Sequence, residues 1–209
     1  MLGKKIFAAA LFALSFVQPS TAATIVNGDF EQGAVVGGFT TLGAGSSGLP
    51  GWTITGSIDH IGSYWQPSHG NKSLDMSGTG AGAISQTVKG LVVGKLYQIL
   101  FDLSGNPDAG SRSQKKLQVS MSPGKGTAFT YTYSTTGTRS NMNWTTKVFS
   151  FVATSKSAVL TFASKTNTPY GPALDNVRFL APVPLPAGAA LLLGGLIALA
   201  ALRRRRRAA

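Results

Sequence analysis

The 209-residue chain contains no cysteine. That excludes a thiol nucleophile, a disulfide framework, a zinc–thiolate site and an iron–sulfur cluster. Charge of one sign is also scarce, with seven acidic residues against nineteen Lys and Arg. Hydrolysis of a glycosidic bond needs two carboxylates at a set separation, and so few acids leave little room for such a pair. There are two histidines, His60 and His69, and the Asp59-His60 pair is the one acid–histidine neighbour. No Gly-x-Ser-x-Gly elbow marks a serine hydrolase. Between residues 24 and 180 no window carries a helical period. A body of about 155 residues can bury a core large enough to stand without covalent staples.

What the chain does have is an unusual pair of ends. Lys4 and Lys5 precede an apolar run, Ile6 to Val17, and then the small, polar stretch Gln18 to Ala23. This is the order of a secretory signal, with cleavage expected after Ala22 or Ala23. At the back, Val183-Pro184-Leu185-Pro186-Ala187 is extended and refuses a helix, because proline fixes φ and lacks an N–H. The apolar stretch 187–202 follows, then Arg203, Arg204, Arg205, Arg206 and Arg207. A helix of that length spans about 24 Å, slightly under a bilayer core of roughly 30 Å, and snorkelling arginines close the gap. The positive-inside rule keeps the arginines in the cytoplasm and the body outside. Topology alone explains this arginine run, so nucleic acid is not an expected partner. Seven of the nineteen positive residues belong to these two ends, which leaves the body at +5. That mild basicity suits an acidic polysaccharide or an envelope surface.

The body reads as all-β. Lys116 to Met121 alternates Leu117, Val119 and Met121 with polar neighbours, and Phe129 to Tyr133 alternates aromatics with threonines. The Phe129, Tyr131 and Tyr133 stripe reads as core or cross-strand packing. Further strands are expected at Trp52–Ile58, Ile84–Val88, Leu96–Leu103, Thr146–Ala153, Ala158–Ala163 and Ala173–Leu180. Eight short strands with turn residues between them predict one antiparallel β-sandwich or jelly roll. Gly33–Gly51, Pro107–Ser113 and Ser134–Asn143 read as loops. The domain plan is a signal at 1–23, a body at 24–180, a proline linker at 181–186 and a terminal signal over 183–209.

Five blocks occur in order: NGDFEQG from Asn27, DHIGSYWQPSHGNKSLDMSG from Asp59, GAISQTV from Gly82, GKLYQILFDLSGNP from Gly94 and GPALDNVRF from Gly171. Together they resemble the bacterial choice-of-anchor C family, related to the DUF642 domains of plant cell walls. The resemblance implies a galactose-binding-type jelly roll, similar to many carbohydrate-binding modules. The tail resembles a VPLPA-CTERM sorting signal of the PEP-CTERM type. That implies recognition at Val183–Ala187 by an exosortase-type transpeptidase, with the body in the periplasm first and at the cell surface or in the matrix afterwards. Candidate sugar contacts are Trp52, Tyr64, Trp65, Gln66, Asn71 and Tyr170, with Trp144 and Asp75 as further groups, because aromatic rings stack on C–H faces while amides bind hydroxyls. Trp65 and Trp144, large rings beside β-runs, read rather as core, and Tyr64 and Tyr170 as exposed. The same resemblance admits one cofactor, a structural calcium joining the first and last strands through Glu31 and Asp175. The expected function is non-catalytic binding of an extracellular polysaccharide or envelope glycan. A polysaccharide-acting enzyme and a permanently membrane-anchored structural protein are the alternatives.

Overall fold

The computed structural model describes residues 23–110, 112–123 and 128–180. Residues 1–22, with Ala22, lie outside them, as do the Val183–Ala187 motif, the apolar stretch 187–202 and the Arg203–Arg207 run. Among the described residues no helix is long and apolar enough to cross a membrane.

Eleven strands follow in order: β1 (Phe39–Gly43), β2 (Thr53–Thr55), β3 (Ser57–Ile61), β4 (Ser73–Asp75), β5 (Ala83–Lys89), β6 (Leu96–Gly105), β7 (Gln114–Ser122), β8 (Ala128–Ser134), β9 (Thr145–Val152), β10 (Ser157–Ser164) and β11 (Pro172–Phe179). One short 3-10 turn, Pro107–Ala109, interrupts the β6–β7 connection. Six strands form one sheet in the order β1-β3-β4-β11-β6-β9, and five form the other as β2-β5-β10-β7-β8. Neighbours run antiparallel throughout. The expected antiparallel sandwich is what forms.

Period-two alternation builds the core. Leu117 and Val119 of β7, Leu160 and Phe162 of β10 and Ile84 and Val88 of β5 turn one way from the five-stranded sheet. They meet Leu74, Ile99, Phe101, Leu103 and Leu174 from the six-stranded sheet. Each fully buried Leu, Ile or Phe contributes roughly 1.5–3 kcal/mol relative to leaving it exposed.

Two expectations are corrected. The Gly33–Gly51 segment is not wholly loop, because Phe39–Gly43 pairs with β3 as an edge strand. Its weak pattern reflects burial of only one of five residues, Leu42. The Trp52–Ile58 run is not one strand. It breaks at Gly56, whose φ is +70° and where a Cβ would sit 2.5 Å from the Ala81 carbonyl oxygen. The break sends β2 to the five-stranded sheet and β3 to the other.

Candidate functional site

The side of the six-stranded sheet that faces away from the core is acidic. Ile58, Leu74, Leu103 and Leu174 point inward, so their neighbours Asp59, Asp75, Asp102 and Asp175 point out. Asp59 lies opposite Asp75, and Asp102 opposite Asp175. Like charges so placed repel. Burial under the covering loops raises Asp75 to about 7 and Asp175 to about 6. Asp75 accepts from Asn106 Nδ2 (2.7 Å), Ser77 N (2.9 Å) and Gly171 N (3.0 Å). Asp102 accepts from Thr146 Oγ1 (2.7 Å) and Asn176 Nδ2 (3.0 Å). Ser68 Oγ lies 2.9 Å from Asp102 Oδ2 and 3.0 Å from Asp175 Oδ2. Asp75, Asp102 and Asp175 thus each hold loop donors in place.

The principal covering loop is 62–72, between β3 and β4. It is held from both sides. Asp175 Oδ2 accepts from Ser68 N (2.9 Å) and His69 N (3.0 Å), and Glu31 Oε1 accepts from Asn71 N (2.7 Å) and Lys72 N (2.8 Å). Gly70, at φ +64°, passes so close to the Glu31 carboxylate that a Cβ would collide with it. Trp65 is the loop's plug. Only 3% exposed, it packs with Ile61, Met142 and Ala173 and donates Nε1–H to Ser73 Oγ at 2.8 Å.

These facts revise the expected site. Trp65 lies under its own loop, and Trp52 (6% exposed) lies in the main core between Phe30 and Phe162, its Nε1–H on Asn27 O at 2.9 Å. Neither offers a ring face to a sugar, because an indole beside strands gains most by complete burial with its N–H bonded. Glu31 and Asp175 both tie down residues 68–72 of that loop, but they do not fit a calcium. Their oxygens already accept backbone N–H groups. On the Glu31 side, the Glu31 and Gly33 carbonyls each take the Lys72 ammonium at 2.7 Å. Calcium needs six to eight converging oxygens, and this place already holds an intramolecular cation. Among the described residues no group of three or more His, Cys, Asp or Glu is arranged to hold a metal. The two histidines part company as well. His69 is exposed on the loop, whereas His60 is buried with Nε2 2.8 Å from Phe30 O. Burial pushes its pKa down.

What the structure does gather is a surface group from three connections. Tyr64 comes from the β3–β4 loop, Asp108 from the β6–β7 turn and Arg139 from the β8–β9 connection. Tyr64 donates its hydroxyl to Asp108 Oδ2 at 2.6 Å. Arg139 forks onto Asp108 through Nε (3.1 Å) and Nη2 (2.8 Å), and Nη2 reaches Tyr64 Oη at 2.6 Å. Its guanidinium lies 4.1 Å from the Tyr64 ring centroid. The bonds from Arg139 hold the Asp108 carboxyl below its usual range, and the bond to Asp108 raises the Tyr64 phenol. Phe39, 41% exposed, meets the Tyr64 ring edge-on at 5.1 Å. The half-buried Trp144 ties the two loops, donating Nε1–H to Gln66 O at 3.0 Å, while Gln66 N donates to Arg139 O at 2.8 Å. Tyr64 and Gln66 are therefore brought together, Gln66 with its side chain exposed. Asn71 is exposed farther along the same loop. Tyr170 stands on the β10–β11 connection, 44% exposed and without a ring contact among the described residues. Arg139 and Asp108 were not singled out in the sequence, where nothing local marks two charged residues 31 positions apart as partners.

Fold and surface together define a class: an antiparallel β-sandwich module with an aromatic and hydrogen-bonding loop face over one sheet. The chain belongs to the DUF642 family, described as proteins of unknown function, which matches residues 23–180. It is similar to Halomucin of Haloquadratum walsbyi, 31% identical over 163 residues, which is 75% of this chain and 2% of that protein. This chain therefore spans a small fraction of its relative. Among solved structures, an apo cyclase from Fischerella sp. shares the fold, with a TM-score of 0.51 and 14% identity over 78% of this chain and 97% of that one. A family 61 carbohydrate-binding module, TmCBM61 in complex with β-1,4-galactotriose, aligns at a TM-score of 0.47 and 15% identity over 78% of this chain and all of that one.

Proposed function

We propose that this protein is an exported, non-catalytic, surface-displayed module that binds an extracellular polysaccharide or envelope glycan through the Tyr64–Arg139–Asp108 face. The observation that carries this reading is the group itself. The Tyr64 ring lies against a guanidinium fixed by two partners, with Phe39 edge-on to Tyr64 and Trp144 bonded to Gln66 of the same loop. Sugars present C–H faces that suit the negative face of an aromatic ring, and hydroxyls that suit a positioned charged donor or acceptor. Hydrolysis is the weaker reading, because Asp75, Asp102 and Asp175 hold loops rather than an open cleft. Charge-driven adhesion without a site is the other reading, and salt would abolish it regardless of glycan.

The ends support the same picture. In our reading the chain is a choice-of-anchor C protein whose signal is cleaved after Ala22 or Ala23. Its tail stalls in the inner membrane through 187–202 and Arg203–Arg207. Val183–Ala187, kept extended by Pro184 and Pro186, is the segment an exosortase-type transpeptidase would cut. The body, 24–180, then passes to a surface acceptor. Mass analysis of the protein from the envelope fraction should show a species ending within 183–187, and recovery of only the intact tail would establish a permanent anchor. Affinity electrophoresis through the host's own exopolysaccharide tests binding. Retardation of the exported protein should persist at 0.5 M salt and fall at least tenfold in Tyr64→Ala. Retardation unchanged in that variant, or lost with salt alone, would overturn the reading.

A further inference from the structure

Phe129 breaks the alternation that explains every other large ring on its strand. It belongs with Tyr131 and Tyr133 to the set on β8 that pairs with Val119, Leu117 and Lys115 of β7. Leu117 and Val119 are fully buried, so this set faces the opposite sheet. Tyr133 is accordingly buried and Tyr131 half-buried. Phe129, at the far end, is 57% exposed. The facing sheet ends at β9 and its own sheet ends at β8. The space between these two edges is a groove of about 350 Å³ open to solvent, lined by Ala128, Phe129, Tyr131, Val148, Phe149 and Ser150. That volume is at the small end of the range for ligand clefts, roughly 300–1,000 Å³.

The walls of the groove are fixed. Tyr131 stands edge-on to Phe101 at 5.1 Å and donates its hydroxyl to Val148 O at 2.6 Å, joining the two sheet edges. Phe129 packs against Tyr131 at 4.7 Å between centroids. Ser150, between the buried Phe149 and Phe151, turns its Oγ to the outer face of its sheet, where Gln98 Nε2 holds it at 3.2 Å, so it lines the groove with its backbone. None of the six lining residues carries a charge. The β7–β8 and β8–β9 connections lie at opposite ends of β8, so the groove, near the start of the strand, is remote from the Arg139 face.

We infer that this groove is a second glycan-binding site, taking a neutral sugar chain whose C–H face lies on Phe129 and whose hydroxyls reach the Ser150 backbone on the free edge of β9. The inference rests on the glycan-binding reading and adds a separate contact surface to it. An acidic glycan would bring charge into a lining with nothing to pair it. A second copy adding as a strand to β9 would have to displace Tyr131 from the Val148 carbonyl. A sugar needs neither change.

The test is a methyl-resolved NMR titration of the exported protein with cellohexaose, laminarihexaose and a β-1,4-linked galactohexaose, with hexagalacturonate as the charged probe. At least one neutral probe should shift the Ala128 and Val148 methyl signals saturably. Phe129→Ala should weaken that response tenfold or more, and Tyr64→Ala should leave it in place. Val148→Glu, at a position already 46% exposed, should abolish it without relying on a truncated ring. Glycan binding that moves signals only near Tyr64 would overturn the groove and leave the glycan-binding reading standing. No response to any glycan anywhere would overturn both. A groove response to hexagalacturonate alone, or self-association lost in Phe129→Ala without any glycan response, would overturn the assignment of a neutral sugar.

Discussion

Trp52 and Trp65 differ from Tyr64 and Phe129 in one respect that the sequence conceals, which is what lies opposite each ring. Trp52 faces Phe162 across the sandwich, and Trp65 faces Ala173 and Met142 beneath a loop. Tyr64 sits on the outside of that same loop, one residue away. Phe129 points toward the core but lies past the edge of β9. Adjacent or alternating positions thus reach opposite environments. Orientation follows from the local period, while exposure depends on where the facing layer stops.

The comparison breaks most severely at Trp52. Trp52→Ala should cost about 3–5 kcal/mol, the usual range for removing a buried large ring, whereas Phe129→Ala should stay under about 1 kcal/mol. Denaturant melts of the two variants check this, and similar losses would mean that the Phe129 ring is covered. Next in size is the Lys72 ammonium. Lys72→Met leaves the Glu31 and Gly33 carbonyls without their partner and should cost about 1–3 kcal/mol. The wild-type melting temperature should be indifferent to calcium or a chelator. A rise on adding calcium, expected of any ion bound to the native state alone, would contradict the fit described above.

Smaller still is the pH dependence. Burial raises Asp75 to about 7 and Asp175 to about 6, so their contribution is complete below the ordinary carboxylate pKa of about 4. It is lost as pH rises through 6 and 7. Burial pushes His60 the other way, and its contribution is lost as pH falls below about 6.5. Stability should therefore decline from pH 6.5 to 8. Asp75→Asn should be less stable overall, because the new amide faces Asn106, yet should show a flatter decline. An unchanged slope in that variant would show that Asp75 is ionised throughout.

Much of the fold was legible from residues alone. Seven of the expected strands recur with their ends moved by no more than two positions, because alternation in β7 or a continuous apolar run in β6 records burial directly. β4 was invisible as a strand: Ser73-Leu74-Asp75 is three residues long, and two of them are polar yet buried. The site was less legible. The loop carrying Tyr64 and Gln66 was found, but its indole belongs to packing. The partners that position its tyrosine, Asp108 and Arg139, come from remote turns, and only the register of β6, β8 and β9 brings them together. The calcium expected from Glu31 and Asp175 failed for a related reason. Lys72, 41 positions from Glu31, brings its ammonium to the Glu31 and Gly33 carbonyls, while the Asp175 oxygens are taken by Ser68, His69 and Asn176.

The central claim is that glycan is held beside Arg139. Two indoles report on that group: the half-buried Trp144, bonded to Gln66 of the same loop, and the buried Trp65, whose ring centroid lies 5.9 Å from that of Tyr64; Trp52 is enclosed in the main core. Tryptophan emission of the exported protein, titrated with the exopolysaccharide that retards it, should change saturably. The apparent affinity should fall at least tenfold in Arg139→Ala and remain at the wild-type value in Phe129→Ala. An Arg139→Ala variant that titrates as the wild type does would contradict the account.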